Sequence, residues 1–253
     1  MKENERGNPL WTRIGRMRRK AVRWLRHGLG LPVDVHGVRI RTRTVGSRKI
    51  LGFIIHGAYE REEATALNAL LRPGDRVLEL GSGLGVISCL AGKVASRVLA
   101  FEANPRLVEI AEDHLALNGV DNVEIRAGVL AGEAGQATFY VGADFWESSL
   151  TPFAGAVQIE TAVHALGPVL AEFAPTVLVM DIEGGEYALL NLPEWTACRS
   201  LRAIVVEIHR PPTEDALRGL ACLQAPWKLD RTVDQLAAEI RSGGNRTVTL
   251  LRD

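Results

Sequence analysis

The apolar residues after position 70 come in short, nearly unbroken runs, and amphipathic stretches separate them. RVLEL (76–80), RVLAFE (97–102), TVLVMDIE (176–183) and LRAIVVEIH (201–209) read as buried strands, with NVEIRAG (122–128) as a more polar one. Helical periods occupy 85–93, 105–118, with Pro105 in the first turn, and about 185–191. A helix over 61–71 precedes them and stops at Arg72-Pro73-Gly74. Strands alternating with helices predict an α/β fold with a mostly parallel sheet covered on both faces. ATFYV (137–141) and VQIETAV (157–163) read as inserted or edge strands. In the tail, helices over 213–223 and 231–241 flank a short strand near 227–230, and RTVTLLR (246–252) reads as a last strand.

The N-terminal pattern differs. Over residues 10–26, Leu10, Trp11, Ile14, Met17, Ala21, Val22, Trp24 and Leu25 fall within one arc of about 160° at ~100° per residue. Arg13, Arg16, Arg19, Lys20, Arg23 and Arg26 fill the other side, and Arg18 alone interrupts the apolar arc. This predicts an amphipathic helix stopped by Gly28 and Gly30. Residues 33–45 alternate and break at His36-Gly37, which predicts a hairpin.

Charge sharpens this division. The chain has 253 residues and a formal net charge of zero. Residues 1–49 carry 14 basic and 3 acidic side chains, whereas residues 50–253 carry 16 basic and 27 acidic. The expected organisation is therefore a basic arm, 1–49, on an acidic domain, 50–253. A uniformly basic nucleic-acid binder is excluded. Hydrophobic content of 47% excludes wholesale disorder. Three scattered cysteines form neither a disulfide framework nor a zinc pattern and suggest a reducing, cytoplasmic setting. No apolar run reaches the length of a membrane span, and the N-terminus lacks a secretory apolar core.

Candidate chemistry begins at Glu79-Leu80-Gly81-Ser82-Gly83-Leu84-Gly85, between a strand and a helix. Glycines permit a sharp turn and close approach to a ligand. Dinucleotide sites space them G-x-G-x-x-G for a pyrophosphate. Here the spacing is G-x-G-x-G, with an acid two positions before the first glycine. An acid repels pyrophosphate and suits a cationic amino-acid ligand, which favours S-adenosylmethionine over NAD. Glu102, in Phe101-Glu102-Ala103-Asn104-Pro105, ends the second strand, where a carboxylate can accept from both ribose hydroxyls. A plain strand–helix turn and a solvated strand end are the competing readings.

A second cluster, Asp181-Ile182-Glu183-Gly184-Gly185-Glu186, follows the fourth buried strand. Period two puts Asp181 and Glu183 on one face, and likewise Glu207 and His209 at the end of the fifth. Open α/β sheets bind ligands at such carboxyl ends. His209 is a candidate general base, because an ordinary imidazole titrates near pH 6.5. Asp181, Glu183 and His209 could also hold a divalent metal, but nothing in the spacing requires one and none is expected.

Together these residues resemble the FkbM family of S-adenosylmethionine-dependent methyltransferases. The resemblance runs from about residue 50 to 210. It rests on Gly57-Ala58-Tyr59-Glu60, the Glu79–Gly85 loop, Phe101–Pro105, Ser148-Ser149-Leu150, the Asp181–Glu186 element and Val206-Glu207-Ile208-His209. The family usually has Asp-x-Gly-Ala-Asn-x-Gly in the loop, so Glu79 and Gly83 are departures. The resemblance implies a Rossmann-like class I methyltransferase fold, with a seven-stranded sheet ending in an antiparallel hairpin. It also implies O-methylation of a hydroxyl on a sugar or polyketide-like natural product. By position it places Tyr59 and Glu60 near the methionine end of the cofactor, and Gly128 and Val129 near the adenine.

The expected site follows. Tyr59, Glu60, Glu79, Gly81, Ser82, Gly83, Gly85, Glu102, Ala103, Asn104, Gly128, Val129 and Asp181 hold the cofactor. Asp181, Glu183 and His209 carry catalysis. Trp146, Ser148, Ser149, Glu183 and Glu186 contact the acceptor, with Ala143, Asp144 and Phe145 beside Trp146. A non-catalytic protein of the same fold, recruited through its arm, is the alternative from another class. The helix at 10–26 is expected to pack on the body as a lid, to mediate a dimer, or to touch a membrane surface, with no nucleic acid as partner.

Overall fold

In the computed structural model, the described residues are 9–142, 148–149, 152–209, 216–217, 219–220, 227–229 and 231–252. Helices are α1 (Pro9–Gly28), α2 (Arg48–His56), α3 (Arg61–Leu70), α4 (Val86–Gly92), α5 (Pro105–Asn118), α6 (Leu166–Phe173), α7 (Glu186–Leu190), α8 (Glu194–Ala197) and α9 (Val233–Gly243). Strands are β1 (Val33–Val35), β2 (Val38–Ile40), β3 (Arg76–Leu80), β4 (Arg97–Glu102), β5 (Val123–Ala127), β6 (Val129–Ala131), β7 (Gly135–Val141), β8 (Ser148–Ser149), β9 (Val157–Ala165), β10 (Val177–Met180), β11 (Ala203–Ile208), β12 (Trp227–Leu229) and β13 (Arg246–Arg252).

The central sheet has seven strands in the order β12-β13-β11-β10-β3-β4-β5. β11, β10, β3, β4 and β5 are parallel, and β13 is antiparallel to both β11 and β12. This is the Rossmann-like methyltransferase architecture expected from the sequence. The chain runs outward from β3 through β4 to β5, then returns to β10 on the other side of β3. The order therefore reverses between β3 and β10, which is where open α/β sheets leave a crevice. The two predicted insertion strands, β7 and β9, pair within a separate four-stranded sheet, β6-β9-β7-β8, whose β6 and β8 were not expected. The predicted helix at 213–223 and residues 143–147 fall largely or wholly outside the described residues.

Strand alternation assigns side chains to two cores. Leu78, Leu80, Leu99, Phe101, Leu178, Met180, Ile204 and Val206 pack with α6, α7 and α9 on one face. Val77, Val98, Val177, Val179 and Val205 pack with α2, α3, α4 and the β1–β2 hairpin on the other. Val33, Val35, Val38 and Ile40 are fully buried in that second core. The hairpin thus belongs to the body, and the charge-based boundary at residue 49 cuts through one hydrophobic cluster. Of the arm's helix and strands among the described residues, α1 alone contributes nothing to either core. No helix among the described residues is long and apolar enough to cross a membrane.

Three helices, α2, α6 and the four-residue α8, were not expected. Ser47 caps α2 by accepting from the Ile50 N–H at 3.3 Å, and Gly57 ends it in the left-handed conformation. In α6, Pro168 lies in the first turn, where a missing N–H breaks no helical hydrogen bond.

Candidate active site

A cavity of about 900 Å³ opens over the carboxyl ends of β3, β4, β5, β10 and β11. Tyr59, Glu60, Gly81, Gly83, Glu102, Ala103, Gly128, Val129, Asp181 and Glu183 line it, all of them expected site residues. Glu63, Phe53, Glu207 and Thr247 also line it and were missed. Glu207 alternates with His209, which was the available signal. Phe53 could not be placed without α2.

The floor is the glycine loop. Gly81 has φ +85°, and its N–H donates to the Phe101 carbonyl at 2.9 Å. A Cβ there would stand 1.9 Å from the Asp181 carbonyl oxygen, so only glycine lets the loop pass the end of β10. Gly83 has φ +50°, a conformation that asparagine also tolerates, which accounts for the departure from the family's usual Asn.

Glu102 is buried and ties the loop to β4. One oxygen accepts from the Gly83 N–H and the other from the Asn104 N–H, both at 2.9 Å. Each oxygen keeps a second lone pair toward the cavity for a hydroxyl donor. Asn104 itself caps α5, accepting from Arg106 N–H at 3.1 Å.

Glu79 lies elsewhere than expected. Alternation along β3 puts it on the same face as Val77, beneath the loop, where its Oε2 accepts from the Ser88 hydroxyl at 2.5 Å. It is 2% exposed and does not line the main cavity. Burial raises its pKa to about 8, although the Ser88 hydrogen bond pulls the other way. The folded state therefore holds a proton that the unfolded state has lost between pH 4.5 and about 8. Stability from this group is full below pH 4.5 and declines across that window. Glu79→Gln keeps an acceptor for Ser88 and removes the decline. Its melting temperature, measured by scanning calorimetry, is expected to gain roughly 5–10 °C on wild type between pH 5 and pH 8, from a few kcal/mol of linkage. Ser82 and Gly85 also stay below the cavity lining.

The acids at the rim reinforce one another. Burial, and then the Glu79 and Glu63 charges, raise Glu60 well above the carboxylate range, and one of its oxygens is buried without a hydrogen-bond partner. Tyr59, beside it, is raised by burial and by Glu60. Asp181 is raised well above the usual range by burial and by Glu207. Its side chain is 32% exposed, toward the cavity, yet its Oδ1 is enclosed and without a hydrogen-bond partner. Burial also raises Glu102 and Glu207. Carboxylates this close favour a bound cation, because it offsets both desolvation and mutual repulsion. A sulfonium carrying an ammonium group, with ribose hydroxyls for Glu102, fits this lining.

His209 departs from the expected role. Its Nδ1 lies 2.9 Å from Glu186 Oε1 and its Nε2 lies 3.1 Å from Glu183 Oε2. Burial alone would lower its pKa, but Glu183, Glu186 and Asp181 more than offset this and raise it to about 11. The ring is therefore an imidazolium at neutral pH. It has no lone pair for an incoming proton, and the neutral-base role does not fit. Asp181, Glu186 and His209 bring possible ligand atoms within 4.8 Å of one another.

Glu186 is fully buried behind the cavity rather than facing an acceptor. Its Oε1 accepts from Ile182 and Gly184 N–H groups, both at 3.2 Å, and so folds the 181–186 turn. Glu183, at the apex, has φ +53°, and Glu60 has φ +47°. Non-glycine residues rarely adopt this region; of the four that do among the described residues, His36, Glu60, Ala174 and Glu183, the two glutamates carry carboxylates into the cavity. Trp146 lies outside the described residues, as do the side chains of Ser148 and Ser149.

Several comparisons bear on this geometry. The protein-L-isoaspartate O-methyltransferase of Rhizobium meliloti is 40% identical over 70 residues, 27% of this chain and 34% of that protein. The ribosomal protein L11 methyltransferase of Acetivibrio thermocellus is 38% identical over 68 residues, 26% of this chain and 22% of that one. The chain thus matches about a third or less of the length of these relatives. Trm5b from Pyrococcus abyssi is similar over 87% of this chain and 55% of its own, with a TM-score of 0.49 and 15% identity, too loose a likeness to bear on chemistry. The family model for the methyltransferase FkbM domain matches residues 86–246, from the start of α4 to β13. That stretch is well over half the chain and contains Glu102, Asp181, Glu183 and His209, so the protein belongs to the FkbM methyltransferase family.

Proposed function

We propose that this chain transfers a methyl group from S-adenosylmethionine to a hydroxyl oxygen of a sugar or polyketide-like acceptor. The observation that carries the proposal is the convergence of Glu60, Glu102, Asp181 and Glu183 on one cavity at the sheet's reversal point. S-adenosylmethionine supplies a methyl group already activated on a cationic sulfur, so the protein's task is alignment and proton handling. Glu102 holds the ribose through its free lone pairs. Glu60 and Asp181 face the cationic methionine end. Glu183 takes the proton from the acceptor hydroxyl as its oxygen bonds to carbon. His209 fixes Glu183 from behind by its 3.1 Å contact. The acidic rim disfavours a phosphate-rich acceptor and suits a neutral one.

Titration calorimetry tests the cofactor half. Wild type is expected to bind S-adenosylmethionine. Glu102→Ala is expected to weaken binding roughly 10- to 100-fold, as lost charge-assisted hydrogen bonds do, with the fold retained. Absence of binding by wild type sinks the proposal.

A further inference from the structure

The last two turns of helix α1 present polar side chains inward. The Arg23 guanidinium donates to the Asp34 carbonyl at 2.8 Å and to the Ile55 carbonyl at 3.3 Å. Arg26 donates to the Pro32 carbonyl at 2.5 Å, and His27 Nδ1 meets Thr42 Oγ1 at 2.8 Å. These contacts set the roll of the helix. They turn its apolar arc away from the body, against the usual rule for an amphipathic surface helix. Met17 is 70% exposed and Leu25 62%, and Val22, Trp24 and Leu29 are exposed with them. The lid packing expected for this arc is not what the structure shows. Phe53, on the α2 helix whose last turn Arg23 grips, is also exposed and borders the cavity.

Charge identifies the occupant. Arg18 lies within the apolar arc and is exposed, and Arg16, Arg19 and Lys20 on the other side of the helix are exposed as well. A second copy docked face to face would enclose two Arg18 guanidiniums in one apolar contact that supplies no opposite charge to either. An anionic bilayer surface meets the same pattern with complementary charge. The apolar side chains enter the headgroup–acyl boundary, Trp24 sits at the interface, and the arginines reach back to lipid phosphates. We infer that the exposed face of α1, through Met17, Val22, Trp24 and Leu25, together with Leu29 just beyond its end, docks this protein on anionic membrane surfaces.

The test is co-sedimentation of the full chain with phosphatidylcholine vesicles, with and without phosphatidylglycerol. Wild type is expected to pellet with the anionic vesicles, less so at high salt. Trp24→Ser with Leu25→Ser is expected to reduce partitioning roughly tenfold or more, since both side chains lose burial in the lipid. Met17→Ser with Leu29→Ser should do the same from the two ends of the patch. Melting temperature and S-adenosylmethionine affinity should stay at wild-type values in both, which separates this inference from the proposed catalytic role. Three results would overturn it: no binding to anionic vesicles, equal binding by wild type and both variants, or a wild-type dimer in solution that the variants convert to monomer.

Discussion

Gly81→Ala is expected to abolish measurable S-adenosylmethionine binding and to lower the melting temperature by roughly 10 °C. The added Cβ would sit 1.9 Å from the Asp181 carbonyl oxygen, about half a normal contact, so one segment must move. Neither is free to do so. The Gly81 N–H is held by the Phe101 carbonyl at 2.9 Å, and the Asp181 N–H by the Leu80 carbonyl at 3.0 Å. The φ of +85° adds a conformational penalty for any side chain. Collision and strain together cost on the order of 3–5 kcal/mol, which is 2–4 °C per kcal/mol for a chain of this size. Any shift of the loop also carries away Gly83, whose N–H holds Glu102 in place, so the ribose contact goes with it. Gly119→Ala is the control. Gly119 also has positive φ, at +66°, but a Cβ there meets nothing within 4 Å. It should lose only about 1 kcal/mol and retain cofactor binding. Equal losses in the two variants, read by thermal melting, would remove the close approach as the cause.

The parts of this architecture that the sequence foretold are those governed by local period. β3, β4, β10 and β11 are apolar runs because both faces of a central strand are covered. Such runs are legible without knowing what covers them. The glycine loop and Glu102 were legible because a strand–turn–helix boundary demands particular residue types. What stayed hidden depends on side-chain direction and on partners distant in the chain. Glu79 looked like part of the loop mouth, but alternation with Val77 sends it under α4 to Ser88. His209 looked like a neutral base, because no spacing rule shows that Glu183 and Glu186, more than twenty residues upstream, bracket both ring nitrogens. The period of α1 was legible, yet it left a lid, a dimer contact and a membrane contact open as orientations. Periodicity defines two faces, and the carbonyls of Asp34, Ile55 and Pro32 decide which one turns inward.

Glu183→Gln is expected to reduce turnover by roughly 10²–10⁴, the usual range for removing a positioned base, while S-adenosylmethionine affinity changes little. The separation follows from placement. Glu102 and the Gly81–Gly83 loop hold the cofactor side of the cavity, whereas Glu183 stands at the apex of the 181–186 turn with its side chain 41% exposed. The left-handed backbone at Glu183 makes that apex project, and Glu186 keeps it there through the Ile182 and Gly184 N–H groups. Glutamine preserves size and can still accept from His209 Nε2, so the turn should survive and only proton uptake is lost. His209→Asn gives the complementary case. It removes the cation that steadies Glu183 but leaves the carboxylate, and a loss nearer tenfold is expected, together with a changed pH–rate profile, because the nearest positive charge has gone. The measurement is S-adenosylhomocysteine release with an acceptor found by screening hydroxylated compounds, beside calorimetric binding of S-adenosylmethionine. If Glu183→Gln turns over as fast as wild type, the proton goes to another group, and Asp181 at the same rim is next to be tested. If affinity and turnover fall together, Glu183 belongs to the cofactor side of the cavity and the division of labour drawn between it and Glu102 is wrong.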